Sequence, residues 1–391
     1  MLFTETHGSR KAFSKDPAVI RLKDTYFLYY SSYYADGERE ALGIGVASSP
    51  DMEHWTTVGR IPPTQECEKN GIAAILLEGK VHLFYQSYGN ARKDAICHAV
   101  SSDGIGFEKD PTNPVFRPTE DWCIGRAIDA DVVVFRNRLF LYFATRDHSM
   151  TIQKLGAAYA ELGGDYSRGA WKQAAERSIL YPEYEWEGAC IEATVVHNEK
   201  VYMFYGGAYN CTPQQIGAAV SDDGINFRKL FGLPFIAAGK KGEWNSSESG
   251  HPYVFTDDDG KTYLFYQGSG DMGKSWYITK CRIGFKDGLP FVCGEDTGAA
   301  QGHSMRRETE TIFLLLLHVS GGRLTEFRLK QAGKIFDIGK SQPLGYLRDV
   351  EIGGDKEMLG DFQLFVEHVS DGRNAVFGFE NPLRLGDGEM H

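Results

Sequence analysis

Three carboxylates, Asp16, Asp129 and Glu192, stand at the same place in three copies of one recurring hairpin. His251 stands there in another copy and Ile72 in another. Two carboxylates facing one pocket can divide proton transfer between them, and a third raises the acid's pKa by like-charge repulsion. That set suits hydrolysis of a glycosidic bond, in which one group protonates the leaving oxygen and the other activates water or attacks carbon. An imidazole at the same address can hold water, a backbone carbonyl or a metal ion. Ile72 reads as a wall.

The elements that must position these residues are visible in the repeat. Its first halves run DPAVIRLKDTYFLYYSS from Asp16, IAAILLEGKVHLFYQS from Ile72, DADVVVFRNRLFLYFAT from Asp129, EATVVHNEKVYMFYGG from Glu192 and HPYVFTDDDGKTYLFYQGS from His251. Each is an apolar run, a polar turn and an aromatic-rich run, the pattern of a β-hairpin. Second halves such as IGVASSPDMEHW, CHAVSSDGIGF and GAAVSDDGINF add further short strands around Ser-Asp-Gly turns. Four strands per unit, repeated at roughly 60-residue spacing, predict an all-β five-bladed β-propeller. In that fold the first strand of each blade lines the axis, so the five address residues ring one mouth of the channel.

Rivals lie close by. Asp131 follows Asp129 by two residues on the same strand, and Glu185 and Glu187 precede Glu192 in a loop. The internal alignment of Ile-Asp-Ala on Ile-Glu-Ala selects Asp129 and Glu192. Arg126, just upstream, can hold a carboxylate or a substrate hydroxyl, or form a salt bridge. Phe13, Trp122, Trp186 and Trp244 fall in or near loops and are candidates to stack on sugar faces, although most aromatic side chains of such a fold pack between blades.

The net charge of −11 disfavours polyanionic partners and nucleic acid. No GxxxxGK[ST], HExxH or CxxC motif occurs, and no apolar run is long enough to span a membrane. Met1 to Phe13 lacks the apolar core of a signal peptide, so a cytoplasmic location is expected, or a secreted or periplasmic one if a leader has been removed. Seven scattered cysteines argue against a disulfide framework. The expected division is a catalytic propeller over 1–300 and a C-terminal β-rich extension or small β-sandwich over 301–391, with strand-like runs at 312–319, 324–329, 362–369 and 375–379.

Over about residues 10 to 300 the motifs resemble family 43 of the glycoside hydrolases, which includes arabinanases, α-L-arabinofuranosidases and β-xylosidases. Ser14-Lys15-Asp16-Pro17, Ala127-Ile128-Asp129-Ala130 and Ile191-Glu192-Ala193-Thr194 carry the likeness, the last two without the family's usual proline. The resemblance implies an inverting mechanism with Asp16 as general base, Asp129 as the residue that tunes and orients the acid, and Glu192 as general acid. Gly250-His251-Pro252 implies a structural calcium ion or a water near His251, with no cofactor required for catalysis. The expected partner is an oligosaccharide or glycoside. Two other readings of the same pocket are a carbohydrate-binding propeller without hydrolysis and a sugar phosphorylase on a related propeller.

Overall fold

The computed structural model describes residues 2–6, 12–36, 39–61, 70–87, 91–188 and 191–294, and beyond these the strand segments within 314–343 and 363–380. The side chains of 34–36, 39–41, 70–71, 191–197 and everything after 294 lie outside the described set. Two compact units divide the chain, Met1–Asp296 and Thr297–His391.

The first unit is five antiparallel four-stranded sheets, each paired in sequence order. Blade 1 is β1 (Lys15–Leu22), β2 (Thr25–Asp36), β3 (Arg39–Ser49) and β4 (Thr56–Ile61). Blade 2 is β5 (Asn70–Leu77), β6 (Lys80–Gln86), β7 (Ile96–Ser101) and β8 (Glu108–Lys109). Blade 3 is β9 (Ile128–Phe135), β10 (Arg138–Arg146), β11 (Gln153–Glu161) and β12 (Lys172–Gln173). Blade 4 is β13 (Ile191–Asn198), β14 (Lys200–Gly207), β15 (Gln215–Ser221) and β16 (Arg228–Lys229). Blade 5 is β17 (Glu248–Thr256), β18 (Thr262–Ser269), β19 (Tyr277–Lys286) and β20 (Leu289–Val292).

The first strands touch in a closed ring, β1 to β5, β9, β13, β17 and back to β1. This is the five-bladed propeller expected from the repeat. Its core lies between blades, in buried clusters that span adjacent blades and hold rings such as Tyr30, Phe84, Phe143, Tyr205 and Phe265. Tyrosines also join blades. The Tyr29 hydroxyl donates to Gly104 O at 2.9 Å and that of Tyr142 to Gly224 O at 2.8 Å, each reaching the Ser-Asp-Gly turn of the next blade. Those turns need their glycines, whose φ values are 80° and 79°. No helix among the described residues is long and apolar enough to cross a membrane.

In the second unit, strands Leu314–Ser320, Arg323–Gln331 and Lys334–Gly339 pair antiparallel in that order, and Gln363–Ser370 pairs with Asn374–Glu380. Among the described cysteines, Cys123, Cys211, Cys281 and Cys293 are free.

Candidate active site

The shared address is a shared backbone conformation. Asp16, Asp129 and His251 have φ of 52°, 49° and 41°, the left-handed region that L residues seldom adopt. Each sits in a bulge of its first strand, where the β1–β2, β9–β10 and β17–β18 registers shift. A bulge inserts an unpaired residue and re-aims its side chain, and strain of this kind collects at functional sites.

Asp16 is buried and held at both carboxylate oxygens. Ser31 Oγ donates to Oδ2 at 2.5 Å, and His251 Nδ1 lies 3.0 Å from Oδ1. Burial pushes the His251 pKa down to about 4, so near neutral pH its ring is uncharged. The Nδ1–H tautomer is then the one that can donate to Asp16. Donors to a carboxylate favour its charged form, which equips Asp16 to accept a proton.

Asp129 stands in surroundings that disfavour its charge. Its pKa is raised to about 7, first by burial and then by the negative charge of Asp16, against the opposing pull of Arg126, Lys15 and a hydrogen bond with Gln86. A neutral-leaning carboxyl beside a hydrogen-bonded one is an arrangement suited to dividing proton transfer. Arg126 is buried, its Nε donating to Asp94 Oδ2 at 3.1 Å, and its Nη1 is closed off from solvent. Its charge acts on Asp129.

The backbone of Glu192 lies in β13 opposite Gly206, while its side chain lies outside the described residues. Its rival Glu187 is fully occupied elsewhere. The Glu187 carboxylate accepts from the main-chain N–H groups of Glu183 and Tyr184, from Lys229 Nζ at 2.6 Å and from the Tyr205 hydroxyl at 2.7 Å. Burial alone pushes its pKa up, but these four bonds outweigh that and leave it lowered. A carboxylate so held cannot act as a general acid near neutral pH. Asp131 is buried opposite Tyr142, further along β9.

Ile72 is buried as a wall residue. Phe13 and Tyr33 pack ring to ring at 4.6 Å, both half-buried, on the segments flanking Asp16. Trp122, Trp186 and Trp244 sit on the loops that lead into blades 3, 4 and 5. Each lies against glycines of that blade, Gly156, Gly207 with Gly217, and Gly268, where any Cβ would collide with the indole. These half-buried rings therefore spend at least one face on packing. Among the described residues, no group of three His, Cys, Asp or Glu side chains is placed to hold a metal. Calcium takes about six to eight oxygen ligands, so the protein groups around His251 do not by themselves fit it.

Four participants were not singled out from the sequence. Lys15 is buried beside Asp16 with its ammonium 4.3 Å from the Trp276 ring centre. Glu248 is fully buried, and its pKa is raised by that burial against the pull of Lys15. Gln86 and Gln267, also buried, accept the main-chain N–H of Asp129 and Asp16 at 2.5 and 2.8 Å. The recurrence of Phe-Tyr-Gln at 84–86 and 265–267 was the available signal.

The family model for glycosyl hydrolases family 43 matches residues 10–283. The chain belongs to that family. Comparison with curated proteins gives no significant match. Among solved structures, a thermostable family-43 glycoside hydrolase is similar with a TM-score of 0.58 at 22% identity, covering 74% of this chain and 95% of the other. An endo-1,4-β-xylanase from Bacteroides thetaiotaomicron has a TM-score of 0.54 at 19% identity, covering 72% and 94%. An α-L-arabinofuranosidase from Lactobacillus brevis has a TM-score of 0.54 at 14% identity, covering 71% and 93%. At these identities the likeness is one of fold. Family 43 membership makes hydrolytic chemistry on a carbohydrate the activity to account for.

Proposed function

We propose that this family 43 protein is an inverting glycosidase acting from the ends of arabinose- or xylose-containing oligosaccharides or on short ones. Asp16 is the general base, Glu192 the general acid, and Asp129 the neighbour that tunes the acid. The observation that carries this reading is the opposed pair at the mouth. Asp16 is held by Ser31 and His251 in a setting that favours its charged form, and Asp129 beside it is raised to about 7. Water activated by Asp16 attacks the anomeric carbon, the bond to the leaving oxygen breaks, and Glu192 supplies that oxygen's proton. An inverting pair needs carboxyls roughly 6.5–9.5 Å apart to leave room for the water. The sugar classes follow the xylanase and arabinofuranosidase named among the similar structures.

The test is a panel of nitrophenyl α-L-arabinofuranosides, β-xylosides, β-galactosides and β-fructosides, with NMR of the first product formed. Turnover with inverted configuration is expected, and Asp16→Asn and Glu192→Gln should each abolish it in a folded protein. A first product of retained configuration overturns the mechanism. Absence of turnover on these and on natural oligosaccharides favours a binding role.

A further inference from the structure

A bulged residue in the left-handed region has a main-chain N–H that leaves the strand ladder and needs another partner. For Asp16 that partner is the side-chain carbonyl of Gln267, at 2.8 Å, and for Asp129 it is that of Gln86, at 2.5 Å. Both glutamines come from the second strand of the preceding blade, since blade 5 precedes blade 1 around the ring. In register they are equivalent. Gln86 stands opposite Asn70 and Gln267 opposite Gly250, each pairing with the last regular residue before the bulge or address. The other three blades place Ser31, Ala144 and Gly207 at that position, opposite Lys15, Ile128 and Ile191. Those three blades precede Ile72, Glu192 and His251. Glutamine therefore occurs in the two blades that precede an aspartate at the address. His251 has the same left-handed φ as Asp16 and Asp129, yet the blade before it carries Gly207 at the glutamine position, so the fold does not require glutamine wherever the backbone takes this turn.

Gln267 is itself oriented. Its Nε2 donates to Glu248 Oε1 at 2.6 Å, and Glu248 Oε2 accepts the Cys211 N–H at 2.8 Å. A carboxylate on one side of an amide accepts only from its NH₂ end, which turns the carbonyl end toward Asp16. Asp16, Gln267 and Glu248 are all buried, so solvent does not compete for the bonds that Gln267 makes.

We infer that Gln267, oriented by Glu248, and Gln86 are positioning residues for the reaction: they fix the backbone of Asp16 and Asp129 so that each carboxyl is aimed into the mouth. This rests on the reading of Asp16 as base. A misplacement of about 1 Å at a reacting group can cost about 10²-fold in rate, which sets the size of the effect.

The test compares Gln267→Met, which keeps the length and removes the acceptor, with the exchange Gln267→Glu plus Glu248→Gln, which keeps both an acceptor for the Asp16 N–H and the amide–carboxylate bond that orients it. On whichever nitrophenyl glycoside the full chain turns over, Gln267→Met should lower kcat about 10²-fold with KM changed less than about threefold, and the exchange should recover most of that loss. In an Asp16→Gly background supplied with azide, a nucleophile that needs no base, adding Gln267→Met should cost nothing further. Amide exchange by NMR gives a readout independent of turnover: the Asp16 N–H should lose protection in Gln267→Met while the amides of Val19 and Ile20 keep theirs. A kcat within threefold of wild type, an equal loss in the azide-rescued background, or an unchanged Asp16 amide overturns the inference. An Asp16→Gly variant that keeps wild-type turnover without azide instead overturns the assignment of the base.

Discussion

At the scale of single residues, this molecule treats its buried carboxylates in opposite ways. Glu187 is a structural anion with four donors, one of them the nearly buried Lys229. Glu187→Gln should lower unfolding free energy by about 3 kcal/mol in urea titration, because it leaves a buried ammonium short of its partner. The kcat of the folded fraction should be unchanged, and a selective loss of kcat would return Glu187 to the list of candidate acids. Asp129 is the opposite case, a carboxyl whose surroundings disfavour its charge. Its folded pKa of about 7 lies above the ordinary value of 3.8. The folded chain then holds that proton more tightly than the unfolded one, so this contribution to stability is present below pH about 4 and is lost as pH rises through about 7. Asp129→Asn removes the charge and should raise the Tm at pH 8 by about 2 °C or more, with little change at pH 4. Calorimetry at the two pH values checks this, and an equal or lower Tm at pH 8 would contradict the shift. The same variant should lose turnover, so that function is gained at this position at the expense of stability.

At the scale of strands and turns, the hairpins and their order were legible because alternation, turn residues and repeat spacing all agree. Their agreement placed Asp16, Asp129 and His251 at one address before any geometry was known. The bulges were not legible, since a left-handed aspartate looks in sequence like any other aspartate at a strand start. Gln86, Gln267 and Glu248 stayed hidden for a related reason: each serves a residue in another blade or strand, and an amide bound to a distant main-chain N–H leaves no local pattern. For the tryptophans, the loop positions were legible and the packing partners were not, since the glycines that receive Trp122, Trp186 and Trp244 are far off in sequence. Blade-to-blade ties follow a rule that the repeat could have shown, a tyrosine of the second strand bonded to the glycine carbonyl of the next Ser-Asp-Gly turn. Tyr142→Phe deletes one such tie and should cost about 1 kcal/mol, since Gly224 O is left in a buried place without its donor. Denaturant unfolding measures it, and a neutral result would reduce these ties to packing.

At the scale of the whole molecule, the question is what closes the ring. In blades 2, 3 and 4 the third strand receives a bridge from a later segment of the same repeat, at Ile96–Phe116, Leu155–Leu180 and Ile216–Ile236. Blade 5 receives its bridge at Ile278 from Phe3, whose N–H and C=O both bond Ile278 at 2.8 Å. Phe3 precedes Asp16 by as many residues as Phe116 precedes Asp129. The segment that leads into Asp129, Glu192 or His251 thus first completes the blade before it, and the one that leads into Asp16 reaches around to blade 5. Thr4 Oγ1 adds a bond to Trp276 O at 2.8 Å, and the Phe3 ring meets Tyr30 edge-on at 4.9 Å. Closure therefore links blade 5 to the strand that carries Asp16. Phe3→Ala should cost about 3 kcal/mol through lost burial. Its local signature separates closure from general weakening. Hydrogen exchange should accelerate at the Ile278 amide, which bonds Phe3 O, well before it does at the Leu155 amide, which bonds Leu180 O in blade 3. Equal acceleration at both amides would mean that the ring opens only by global unfolding and that Phe3 is no more than one core side chain among many.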